Sequence, residues 1–176
     1  MPVKHEFGQS IHETKIADPK AVEKHWKSIV ANYARTPGFK RWRDELQSLF
    51  ESATDSLAEV SIAATEWMLS KLNARARRIR ASGVEGAEGQ ASALVASICK
   101  TLGATEYLTG TGALAYMNTE DFQNIGCEIL VQQWKPFEYQ QAHAGFAPDL
   151  STLDLLLNCP DTAAQVIEAA GDWKPL

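Results

Sequence analysis

The segment Tyr107-Leu108-Thr109-Gly110-Thr111-Gly112-Ala113 constrains the fold most: a short strand runs into two glycines and then a helix start. A strand that hands over to a helix through so tight a turn belongs to the αβ alternation of layered α/β proteins. The same geometry places free backbone N–H groups around a concavity, which suits an anion such as a phosphate or carboxylate. The competing reading is a tight turn that needs glycine for its dihedrals. The stretch lacks the longer glycine fingerprint of a P-loop or dinucleotide site, so no cofactor is assigned.

Helix signals flank this segment on both sides. Asp18-Pro19 and Thr36-Pro37 each read as an N-cap followed by proline at the first helical position. They predict helices over 18–35 and 36–51, carrying Trp26, Tyr33, Phe39, Trp42 and Phe50 as an aromatic-rich helical portion near the N-terminus. A third helix is predicted from Thr54 or Asp55 to Leu72, with Asn73 as terminator, and a fourth around Leu94 to Leu102, closed by Gly103. Strands are expected at Ile11 to Ile16, within Ala74 to Arg80, at Glu106 to Leu108 and at Glu128 to Gln133. A short helix over 119–125 stops at Gly126, and Leu150 to Ala170 holds two helices separated by Pro160. The expected fold is α/β, a mostly parallel sheet flanked by helices, in one domain spanning 1–176.

Composition excludes several classes. The net charge of −5 argues against general nucleic-acid binding, which demands a basic face. Cys99, Cys127 and Cys159 are odd in number and widely spaced, so neither a disulfide framework nor a zinc site is expected. His5, His12 and His25 have no metal-ligand spacing, and no metal is predicted. No apolar run is long enough to span a bilayer and Met1 to Phe7 lacks a signal-peptide core, which together predict a cytoplasmic protein with no membrane partner.

Two further stretches are candidate sites. Tyr139 to Pro148 is a polar and aromatic loop, and His143 within it is a titratable group suited to acid–base work. Its alternative is a surface or packing histidine. Tyr116 either points its phenol to the Gly110–Gly112 pocket or packs in the core. The candidate set is His143 as acid or base, with Gly110, Gly112, Tyr116, Tyr139 and Gln141 binding an anionic small metabolite. Both loops are expected to line one concavity. Ser151-Thr152-Leu153-Asp154 has capping-box spacing, with Asp in place of Glu or Gln. No G-x-S-x-G elbow supports a serine triad. Arg75, Arg77, Arg78 and Arg80 read either as an anion site or as a solvated edge strand protected by charge.

Taken in order, these pieces resemble the WbqC-like family. The resemblance rests on Pro2-Val3-Lys4 with Ile11 and Ile16, on Ser97 to Gly110 with Gly112 and Tyr116, and on Tyr139, Gln141, Phe146, Pro148, Leu150-Ser151, Asp154-Leu155-Leu156 and Asn158. It covers nearly the whole chain. It implies a bacterial protein of O-antigen, polysaccharide or secondary-metabolite biosynthesis. The implied function is a group-transfer enzyme or enzyme domain acting on a sugar- or amino-acid-derived metabolite. The alternative is a non-catalytic binding or assembly module. The family pattern usually begins with a segment containing His-Gln-Pro and Pro-Trp-x-Gly-Tyr stretches, and this chain starts after it. Ala144-Gly145 and Cys159 also depart from the pattern. The chain is then a fragment, a minimal member or one part of a larger assembly. A chain lacking that segment is expected to be weakly active or inactive alone, with a sheet edge left exposed or covered by a partner, as in a homo-oligomer.

Overall fold

The computed structural model describes residues 2–4, 6–18 and 20–176. The chain divides into two compact units, one of Met1–Ala74 with Phe137–Val166, the other of Arg75–Pro136 with Ile167–Leu176.

The first unit is helical. Helices α1 (Lys20–Tyr33), α2 (Pro37–Glu51) and α3 (Leu57–Lys71) match the three predicted from cap signals. The Asp18 carboxylate accepts from Lys20 N at 2.9 Å, as a cap should. Pro19 lies outside the described residues. Thr36 Oγ1 accepts from Phe39 N and caps α2, while Ser56, not Thr54 or Asp55, caps α3 by accepting from Glu59 N. Asn73 ends α3 in the left-handed region, φ 56°. Helix α6 (Thr152–Asn158) inserts Leu157 between Phe39 and Leu46 of α2, and Trp26, Ile29, Val30 and Trp67 pack around them. The α2 backbone kinks at Trp42, whose ring meets Trp67 edge-on at 5.8 Å beneath the Lys71 ammonium. Helix α7 (Ala163–Ala170) follows Pro160 as expected, with residues 163–166 in this unit and 167–170 in the second.

The Ile11–Ile16 strand is shorter than predicted. Only Lys15–Ile16 (β2) pairs, antiparallel to Val3–Lys4 (β1). Ser10, Glu13 and Thr14 hydrogen-bond among themselves, Ser10 Oγ to Glu13 and Thr14 Oγ1 to Ser10 O, and this local bonding displaces the ladder.

The second unit builds a three-stranded sheet against α4 (Ala91–Thr101) and the short α5 (Glu120–Gln123). Strands β3 (Glu106–Thr109) and β4 (Glu128–Trp134) are neighbours and parallel, with Glu106 opposite Glu128 and Thr109 opposite Val131. Ile129 and Val131 turn inward onto Phe122, Ala96 and Cys99, and Tyr107 stacks on Phe122 at 4.8 Å. A mostly parallel sheet is not what forms. Gly171–Pro175 (β5) lies antiparallel to β4, so the sheet is mixed. The ladder is extended by Lys135 N donating to Ala170 O and Leu176 N to Ile129 O. A strand containing Asp, Lys and Pro lacks apolar alternation, yet edge strands tolerate just those residues. Its side chains gave no strand signal for that reason.

The predicted arginine strand does not form either. Residues 74–80 are irregular, and all four arginines are exposed. Adjacent like charges gain nothing from a ladder and are best solvated apart.

Candidate functional site

Asp154 organises the most polar interior of the first unit. It is the third residue of α6, whose cap is Ser151, the Oγ accepting from Leu153 N at 3.2 Å. The predicted capping function of Ser151 therefore holds. Asp154 does not complete a reciprocal box. Its carboxylate is 5 % exposed and accepts three hydrogen bonds, from Tyr33 Oη at 2.7 Å, Tyr139 Oη at 2.6 Å and Gln141 Nε2 at 3.1 Å. A buried carboxylate needs such donors to offset its lost hydration.

Gln141 also closes the loop that follows it. Its Nε2 donates to Ala147 O at 2.9 Å and its Oε1 accepts from Ala147 N at 2.8 Å. Tyr139 is braced edge-on by Phe146 at 5.4 Å. Residues 139–147 are thereby clamped onto Asp154, with Gly145 at φ 84° making the bend. Asn158 Nδ2 donates to Asp154 O one turn along α6.

This network forms one wall of a cavity of about 320 Å³ lined by Asn32, Tyr33, Gln141, His143, Asp154 and Asn158, among others. Of the sequence candidates, Gln141 and His143 line it, and Tyr139 supports it through Asp154. Tyr33, Asn32, Asn158 and Asp154 were not singled out as site residues by sequence reasoning. Their signal was weak, because Tyr33 reads as one more apolar helix position and Asp154 as a cap. His143 makes no hydrogen bond or ion pair among the described residues, so its ring is uncommitted.

Gly110, Gly112 and Tyr116 belong to the second unit. Gly110 leads into a five-residue 3-10 turn, Thr111–Ala115, in place of an α-helix. Gly110 has φ −85°, neither glycine has a positive φ, and a Cβ on either meets nothing within 4 Å. Neither glycine is demanded by local dihedrals. Tyr116 is 72 % exposed and does not pack in the core.

The chemistry open to the Asp154 cavity follows from its protons. Burial, reinforced by hydrogen bonding to Asp154, pushes the Tyr139 phenol up to about 12 and the Tyr33 phenol still higher. Both stay protonated at neutral pH and spend those protons on Asp154. They can offer a substrate only oxygen lone pairs. Asp154 has three of its roughly four acceptor positions filled, which makes it a positioning residue. His143 is left as the side chain of this wall that no hydrogen bond or ion pair engages among the described residues.

Raised phenol values stabilise the fold below the unfolded tyrosine value near 10. Above it the unfolded chain loses protons that the native chain retains, so stability falls as pH climbs from about 10 toward 12. Replacing Tyr33 and Tyr139 by phenylalanine should flatten that decline in denaturation midpoints measured from pH 8 to 12. An unchanged slope would place both phenols in solvent.

Among the described residues, no group of three or more His, Cys, Asp or Glu side chains is placed to hold a metal ion, and no helix is long and apolar enough to cross a membrane.

Residues 1–166 match the WbqC-like protein family. The chain belongs to that family. It is 28% identical over 158 residues to a Mycobacterium tuberculosis (strain ATCC 25618 / H37Rv) protein described as uncharacterized protein Rv1507c, covering 89% of this chain and 68% of that one. No solved structure matches the chain. The family match runs through every residue of the Asp154 network, Tyr33, Tyr139, Gln141 and Asp154 included.

Proposed function

We propose that this WbqC-like chain is a biosynthetic group-transfer enzyme, or a domain of one, acting on a sugar- or amino-acid-derived metabolite in the Asp154 cavity. The observation that carries the reading is a buried carboxylate that holds two phenols and an amide at the wall of a cavity where His143 is uncommitted. A fold has little reason to bury a carboxylate that no cation pairs unless its geometry is used. Asn32 and Asn158, whose amide nitrogens donate to Ser28 O and Asp154 O, have side-chain oxygens suited to the hydroxyls and amines of such a metabolite, and His143 moves the proton during transfer. Residues 1–176 act as one WbqC-like domain in the cytoplasm, and O-antigen or related polysaccharide assembly is the pathway the family resemblance supports.

The test is thermal-shift screening of the chain with sugar nucleotides and amino acids, followed by turnover assays on the ligands that stabilise it. His143→Ala should keep the ligand-induced shift and lose at least a hundredfold in turnover, the usual range of a general acid or base. Full turnover in that variant would overturn the reading.

A second reading, a non-catalytic binding or assembly module, is supported by the outer face of the second unit's sheet. There Leu108, Trp134 and Trp173 are exposed, on the side opposite Ile129 and Val131. Apolar side chains gathered on one face mark association surfaces.

A further inference from the structure

We propose that the metabolite bound in the Asp154 cavity carries an oxyanion, a phosphate ester or a carboxylate, and that Arg35 holds it in an adjoining subsite. This rests on reading the Asp154 cavity as the substrate pocket. A second cavity of about 270 Å³ lies beside the first and shares Gln141, Ala142 and Asn158 with it as a common wall. Arg35, Thr36, Pro37 and Gln140 complete its lining.

The charges divide between the two spaces. The Asp154 cavity has no lysine or arginine in its wall and is lined by the Asp154 carboxylate, so an anion is repelled there. The adjoining cavity has the Arg35 guanidinium. Five other cations of the first unit, Lys15, Lys24, Lys27, Arg41 and Lys71, are engaged with carboxylates. Arg35 makes no hydrogen bond or ion pair among the described residues, and neither does the Gln140 side chain. A guanidinium fork with an idle amide across a cavity is a match for an oxyanion, because the fork gives two parallel charge-assisted bonds.

The backbone at Arg35 is also fixed in advance. Thr36 N and Thr36 Oγ1 both donate to Tyr33 O, at 2.9 and 2.8 Å, and Tyr33 is itself tied to Asp154. One side of the α1–α2 turn therefore presents Arg35 and the other presents the Tyr33 phenol. The amino end of α2 is capped by Thr36 itself and is not counted as a donor to the ligand. Gln141, committed to Asp154 and Ala147, forms the partition along which a ligand with a polar body and an anionic end would lie.

The experiment is an NMR titration of the full chain with three probes, glucose, glucose 1-phosphate and glucuronate, following the Arg35 Nε–H and the Gln140 and Gln141 side-chain amides. The two anionic probes should move Arg35 and Gln140 and bind at least tenfold more tightly than glucose. Arg35→Ala should remove that advantage while leaving the thermal midpoint unchanged, since the side chain is exposed and unpartnered, and Arg35→Lys should restore part of it. Preference for one anionic probe identifies phosphate or carboxylate as the group. If the anions leave Arg35 unmoved, or Arg35→Ala binds them as wild type does, the inference is overturned, and shifts at Gly110 to Gly112 would assign the anion to that loop. Glucose shifting Gln141 with no anion effect at Arg35 sinks the subsite and spares the reading of the Asp154 cavity. Anions shifting Arg35 while every probe leaves Gln141 and His143 untouched sinks that reading, and with it the proposed spanning ligand.

Discussion

Asp154→Ala is expected to destabilise the first unit by roughly 3 kcal/mol or more, because hydrogen bonds to a charged group each contribute about 1.5–3 kcal/mol and three are lost together. The Tyr33 and Tyr139 hydroxyls and the Gln141 amide would be left facing a void at a 5 % exposed position. Asp154→Asn keeps the volume and one acceptor oxygen but turns an N–H₂ donor toward a phenolic donor, so a loss of about half that size is expected. Urea denaturation midpoints check both. A loss below about 1 kcal/mol for the alanine variant, the level of an ordinary neutral hydrogen bond, would mean that the carboxylate is hydrated and organises nothing. The same substitution frees the 139–147 loop, because Gln141 loses the anchor that holds Ala147 in place.

Phenylalanine at Tyr33 and at Tyr139 distinguishes a network from a sum of pairs. Residues that share one acceptor couple, and a double-mutant cycle across them measures how strongly.

The legible and illegible parts of this chain divide along the range of the interactions involved. Helices α1 and α2 were readable because Asp18 and Thr36 act on backbone groups two or three residues away. Strands β3 and β4 were readable because Tyr107, Ile129 and Val131 alternate with residues of the opposite face. Strand β5 was invisible, since its partners along β4 lie some forty residues earlier and its own composition is that of a loop. Asp154 was the costliest misreading. Ser-x-x-Asp is a sound local cap signal, and Ser151 does cap α6, but the carboxylate bonds a phenol 121 residues away in the sequence. No local pattern announces a contact of that separation. The Tyr139–Gln141–His143 loop was found as a candidate because a polar, aromatic connection of that length is more often functional than not. Arg35 stands one residue before the Thr36 cap, and a basic residue at a helix end carries no signal of a binding site.

Gly38→Ala tests the packing that places α6, and with it Asp154, against α2. In a helix interior alanine is favoured over glycine by about 1 kcal/mol, so propensity alone forecasts a gain. The structure forecasts the reverse. A Cβ built on Gly38 would collide with Leu156 O and stand 2.7 Å from Leu157 Cα and 2.8 Å from Leu157 O. All three are backbone atoms, which cannot rotate out of the way as a side chain can. Leu156 and Leu157 are completely buried, and Leu157 is wedged between Phe39 and Leu46, so α6 can yield only by opening that core. Overpacking of this kind usually costs 1–3 kcal/mol, and contact with rigid backbone belongs at or above the upper end. The expected loss is therefore about 3 kcal/mol, read as a lowered denaturation midpoint with an unchanged slope. Gly83→Ala is the control, since a Cβ there meets nothing within 4 Å, and its effect should stay within about 0.5 kcal/mol. Should Gly38→Ala prove as stable as wild type, α2 and α6 do not meet at this glycine. The displacement of α6 also carries Asp154, two residues before Leu156, away from Tyr33, so a destabilised Gly38→Ala protein should lose the high-pH signature of the two phenols as well. Folding core and candidate site rest on the same seven-residue helix, and one added methyl group is expected to disturb both.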